Sequence, residues 1–222
     1  MGGSERKHPG NPDAREKARI LTEAEKRRLA QFENLSDQLL RQGYRCSELT
    51  VGIVSANAFG VALLIPLAVI GMGLFYLKNR SLAQGFGSMS FLWVMLVFAV
   101  LIPVHELIHG ISWAVFAKHH FKDIEFGFMK QYLTPYCTCK VPLSKGQYLF
   151  GALMPLILLG MEPMIAGILI GSMPMLLIGI LMADAASGDI MIAWKVVRYK
   201  SRAADVLYID HPTQAGGVIF EK

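Results

Sequence analysis

Five consecutive residues, His105-Glu106-Leu107-Ile108-His109, place two imidazoles four positions apart with a carboxylate between them. On a helix, positions i and i+4 stack on one face, so both rings can reach a single metal ion. Glu106 is rotated by about 100° from His105, which suits it to hold a water rather than bind the metal. With 6 histidines and 17 acidic residues in 222, chance supplies roughly 0.01 occurrences of such a motif. The competing reading is a pair of packed histidines beside an unrelated carboxylate. It is the weaker one because the motif lies in a long apolar stretch, where polar groups are costly without a task.

A zinc site of this kind takes a third protein ligand and leaves a fourth position to water. Glu162, Asp184 and Asp189 are the other acidic residues within apolar stretches. His109 precedes Lys118 by nine residues, about 14 Å along a helix, and Asp189 likewise precedes Arg198 by nine. Asp184 is about 21 Å from that end, nearer the level of His105, while Glu162 falls toward the opposite side. Depth favours Asp189 as the third ligand and keeps Asp184 as second choice. The two aspartates stand about 140° apart around a helix and do not easily face one ion together. Ser187 and Gly188 loosen the helix just before Asp189.

These side chains must be positioned by membrane helices. The chain is 53% hydrophobic and only 18% charged. Its apolar stretches, Val51–Leu77, Ser81–Ala117 and Gln147–Trp194, contain no Lys or Arg. The last divides at the turn signal Gly171-Ser-Met-Pro174, so four transmembrane helices are expected, the third over Gln147–Ile170 and the fourth over Met175–Val197. Of 22 basic residues, 10 lie before Thr50, 5 between Lys118 and Lys145, and 5 from Lys195 onward, leaving only Lys78 and Arg80 for the other side. That asymmetry predicts both termini in the cytoplasm, with the cytoplasmic membrane of a prokaryote as the expected location. Cys46, Cys137 and Cys139 then share the reducing side, and no disulfide is expected. The first 40 residues hold no apolar core, so no cleavable signal peptide is expected. The net charge of +5 belongs to flanking tails and loops, which argues against a nucleic-acid partner.

The predicted fold is therefore an all-α integral membrane protein with four transmembrane helices, a small β-hairpin-like cytoplasmic loop and an N-terminal amphipathic helix. Residues 1–43 form the cytoplasmic tail and helix, 44–198 the membrane domain, and 199–222 a cytoplasmic C-tail. Residues 1–19, rich in Gly, Pro and charge, read as disordered. Thr22-Glu-Ala-Glu25 matches a capping box, and the helix ends near Gly43. Within the loop 118–146, two short strands are expected over residues 123–141, around Pro135, with Cys137 and Cys139 on one face. An edge of these strands offers pairing to an extended substrate, which makes Phe126, Gly127, Phe128 and Tyr136 candidate substrate contacts.

His105-Glu-Leu-Ile-His-Gly110 in a span, followed by a hairpin-like loop and a distal Asp-bearing span, resembles the site-2-protease type of intramembrane metalloprotease. A closer resemblance, over most of residues 44–222, is to a membrane family labelled "Putative zincin peptidase", a domain of unknown function. It is carried by Phe126-Gly-Phe128, Thr134-Pro-Tyr-Cys137, Met154-Pro155, Ser187-Gly-Asp-Ile190, and Asp210-His-Pro212 with Gly216. The resemblance implies Zn2+ held by His105, His109 and Asp189, Glu106 as the base, and a membrane protein or peptide as substrate. Site-2 proteases carry an Asn-rich stretch and an Asp-Gly pair on the third-ligand helix; here the order is Gly188-Asp189, and Asp184 stands where an Asn is expected. The competing class is a non-catalytic membrane scaffold or adaptor that retains a zincin-like bundle.

Overall fold

A computed structural model describes residues 21–82, 88–129 and 134–222, with residues 88 and 89 described by backbone alone. The segment 1–19, read as disordered, lies outside the described residues. The chain enters through helix α1 (Glu23–Arg41), started by the expected capping box: the Thr22 hydroxyl accepts the Glu25 N–H, and the Glu25 carboxylate accepts the Thr22 N–H at 2.8 Å. At its far end the Gly43 and Tyr44 N–H groups return to the Leu40 and Leu39 carbonyls, a Schellman-type close.

Strand β1 (Arg45–Thr50) follows directly and leads into α2 (Ile53–Asn79). Helix α3 (Ser88–Ala114) carries the His105–His109 motif and ends before a short 3-10 turn, His120–Asp123. The expected hairpin is present as β2 (Ile124–Met129) and β3 (Thr134–Cys139), antiparallel with Phe126 opposite Cys137. A second capping box, Ser144 with Gln147, opens α4 (Lys145–Pro155), which passes through a π-helical stretch at Leu156–Met161 into α5 (Glu162–Ile170). After the turn at Gly171 come α6 (Met173–Ala185) and α7 (Ser187–Arg198).

Ile53–Asn79, Ser90–Ala114 and Lys145–Ile170 are each long and apolar enough to span a bilayer. The expected fourth span is broken: α6 and α7 meet at an angle of 51°, and count as one span only when taken together. Ser187 and Gly188 sit at this bend, where the sequence predicted loosening. The architecture is that of an all-α, multi-span membrane protein with a small antiparallel hairpin. Lipid offers apolar side chains no reason to leave it, so helix association there depends on close fit. At Gly179 of α6 a Cβ would come within 2.4 Å of the Met164 nitrogen on α5, so only glycine permits that approach.

One further layer has no counterpart in the predicted fold. The C-terminal segment, expected to be a tail, forms β4 (Val206–Asp210) and β5 (Gly216–Glu221), and β5 lies between β4 and β1 in an antiparallel sheet. Thr50 stands opposite Gly216, whose φ of +120° and 2.3 Å virtual Cβ contact with the Leu49 carbonyl admit no side chain. Helix α1 lays Phe32, Leu35 and Leu39 on this sheet against Ile209, Val218 and Phe220. Each large apolar side chain so buried contributes about 1.5–3 kcal/mol. The main core joins α3, the hairpin, α4, α7 and the sheet through Trp113, Ile124, Tyr148, Val196, Tyr208 and Ile219.

Candidate metal centre

His105 and His109 lie on the face of α3 turned into this core and are 6% and 4% exposed. The bent α6–α7 pair brings Asp189, in the first turn of α7, against them. Nε2 of His105 is 3.1 Å from Asp189 Oδ2, Nε2 of His109 is 3.4 Å from the same oxygen, and the two Nε2 atoms are 3.1 Å apart. Among the described residues, this is the group of His, Cys, Asp and Glu side chains whose ligand atoms converge closely enough to hold a metal ion.

The donor set fits such an ion. His109 Nδ1 donates to the Gly151 carbonyl at 2.8 Å, so in the neutral ring Nε2 is a bare lone pair. That lone pair faces a carboxylate oxygen and a second imidazole nitrogen, an arrangement that a cation shared among them satisfies. Ligands held tetrahedrally at ~2.0–2.1 Å lie about 3.3 Å from one another. The observed separations of 3.1, 3.1 and 3.4 Å bracket that spacing.

Asp184, the second choice from depth, is not part of this group. It precedes the bend and faces α2: a Cβ placed on Gly60 would meet Ser187 Oγ at 3.0 Å and Asp184 Oδ1 at 3.5 Å.

A cavity of about 250 Å³ opens on the cluster. Glu106 lines it beside His105, His109 and Asp189, with its carboxylate against the Cys137 N–H of β3. Cys139, two residues on, gives its N–H to Asp210 Oδ2 at 2.7 Å. The free edge of β3 thus points its N–H groups away from β2 and toward the site. Tyr136 lines the cavity, whereas Phe126, Gly127 and Phe128 are not among its lining residues. They belong to β2, which reaches the cavity through Met129 instead: the Phe126 ring sits over Gly110, and Gly127 lies under the Tyr136 ring. Burial pushes the Cys137 thiol up and Cys139 up to about 12, so both stay protonated at neutral pH.

The sequence reading assigned no role to several groups now found in the cavity wall. Asp210 is one, its second oxygen accepting the Tyr148 hydroxyl at 2.8 Å. Burial raises this carboxyl to about 6, against the pull of those hydrogen bonds. His211 accepts the Thr213 and Gln214 N–H groups at Nδ1. Burial and the Arg28 charge lower it to about 4, and the ring stays neutral. Arg28 reaches in from α1, giving one hydrogen bond to the Pro212 carbonyl at 2.6 Å and others to Glu125 and the Tyr136 hydroxyl. The signal for the first two was local: Val206-Leu-Tyr-Ile209 and Val218-Ile-Phe220, separated by Pro212 and Gly216, form a strand–turn–strand pattern around Asp210-His211.

No curated protein and no solved structure matches the chain. The helix with both histidines, the hairpin and Asp189 all fall within residues 98–204, the part of the chain matched by the model of the family described as "Putative zincin peptidase".

Proposed function

We propose that this protein is a zinc metallopeptidase that hydrolyses peptide bonds of membrane-associated proteins or peptides. The observation that carries the reading is the convergence of His105, His109 and Asp189 at ligand spacing, beside Glu106 in one cavity. In this reading His105, His109 and Asp189 would hold the ion. When bound, zinc supplies Lewis acidity that makes water nucleophilic near neutral pH and polarises a carbonyl.

The remaining work falls to the chain. Glu106 takes a proton from the attacking water at its carboxylate and delivers it to the departing amine nitrogen. An extended substrate pairs along the cavity-facing edge of β3, where Tyr136 lines the cavity, while Phe126, Gly127 and Phe128 back that strand from β2. The sheet end, which carries α1 and the C-terminal strands, faces the cytoplasm, in keeping with the excess of basic residues in the segments flanking the spans on that side.

The test is Glu106→Gln in the full chain purified in detergent. About one zinc per chain is expected in both proteins, with cleavage of membrane substrates slowed about 10²–10⁴-fold in the variant. Cleavage at the wild-type rate overturns the peptidase reading. A wild-type chain that folds without zinc favours the scaffold instead.

A further inference from the structure

His109 is a useful ligand only if its Nε2 is the unprotonated nitrogen, and that depends on what its Nδ1 meets. The partner is the Gly151 carbonyl, 2.8 Å away and inside helix α4. A carbonyl in a helix interior is normally taken by the N–H four residues on. Four residues after Gly151 stands Pro155, which has no N–H. The next N–H, that of Leu156, goes to the Leu153 carbonyl. A buried carbonyl is costly to leave unpaired, and His109 supplies the missing donor.

Two neighbouring features hold the ring on this acceptor. Trp113 stacks on His109 with ring centres 5.2 Å apart and planes at 14°, and its indole N–H reaches the Tyr148 carbonyl at 3.2 Å. The indole occupies the space beside Gly151, where a Cβ would come within 2.0 Å of its nitrogen. Beyond Pro155 the helix widens into the π-helical stretch Leu156–Met161.

We infer that Pro155 is a positioning residue for the metal centre: by withholding an N–H from Gly151, it reserves that carbonyl for His109 Nδ1 and sets the ring with Nε2 facing Asp189. The inference rests on the proposed metal role of His109, but the tautomer itself can be read without any metal. Pro155→Ala restores an N–H in register with Gly151 and creates a competitor for the carbonyl. Replacing Pro155 by an α-hydroxy acid, which leaves an ester in place of the amide, changes the side chain without adding an N–H.

In detergent-solubilised full chain, titrated with zinc alone, Pro155→Ala weakens binding about 10- to 100-fold, the range for loss of a ligand's orienting partner. The ester variant regains most of that affinity. In the metal-free chain, at a pH high enough to leave the ring neutral, histidine 15N shifts show His109 protonated at Nδ1 in the wild type and a tautomer mixture in Pro155→Ala. The positioning role is overturned if Pro155→Ala keeps the wild-type tautomer, or if the ester variant binds zinc as weakly as Pro155→Ala. A wild-type chain that binds no zinc overturns the metal reading, and the 15N comparison then still decides the role of Pro155.

Discussion

Helices α2 and α3 carry spans of nearly equal mean hydropathy, 2.4 and 2.3, yet α2 and the last third of α3 are used in opposite ways. Of the 27 residues of α2, only Gly60, Gly71 and Phe75 are buried, and Val61, Ile65, Val69 and Ile70 are exposed to lipid. From His105 onward, α3 buries His105, His109, Ser112, Trp113 and Ala114. The difference follows from the surroundings. In lipid, an apolar surface need only be apolar and fit closely at a few small residues. Against the hairpin, α4 and the sheet, every polar group needs a partner, and each side chain has a defined neighbour. Specificity in this molecule is concentrated where polar groups are buried.

The sharpest way to break that contrast is to remove a member of the cluster. His105→Ala or Asp189→Ala is expected to abolish stoichiometric zinc in metal analysis of the purified chain, whereas Asp184→Asn, on the far side of the bend, retains it. Zinc retained in Asp189→Ala breaks the assignment.

A smaller effect, about 3 kcal/mol for each group, is expected from the opposed pair in the cavity wall, Asp210 and His211. Asp210 moves up from 3.8 to about 6 on folding, so its contribution is present in acid and lost as pH rises through 6. His211 moves down from 6.5 to about 4, so its contribution is present above 6.5 and lost as pH falls through 4. The two nearly cancel between pH 4 and 6.5. Thermal unfolding in detergent micelles is expected to show Asp210→Asn losing stability on acidification over that window and His211→Gln gaining it. Identical slopes in the two variants contradict the pairing.

Packing sharpens the same comparison at a lower cost. Gly151→Ala forces a methyl into the Trp113 indole and is expected to destabilise by about 1–3 kcal/mol. Gly73→Ala on α2 meets nothing within 4 Å and is expected to change stability by about 1 kcal/mol or less, in the favourable direction. Equal effects at both positions, measured by the same unfolding experiment, remove the distinction between the two regions.

Much of this was legible in the chain before any coordinates. Apolar runs of bilayer length, the capping box at Thr22, the hairpin around Pro135 and the two histidines at helical spacing are local patterns, and each appears in the structure. Asp189 could be ranked above Asp184 by depth because a membrane turns distance along a helix into height. The pairing of β1 with β5 was not legible, because the two strands are separated by the whole membrane region and pairing across that distance leaves no periodic trace.

The same division runs through the centre itself. Which residues can bind a metal, and roughly at what level, followed from side-chain chemistry and the 1.5 Å helical rise. Whether their atoms meet was settled by folding: the 51° bend that turns Asp189 inward, the Gly151 carbonyl that orients His109, and the return of Asp210 and His211 from the C-terminus. The contacts His109–Gly151, His105–Asp189 and Tyr148–Asp210 join residues at least 42 positions apart in the chain. Such contacts arise only when helices and sheet pack together, because local spacing constrains near neighbours alone.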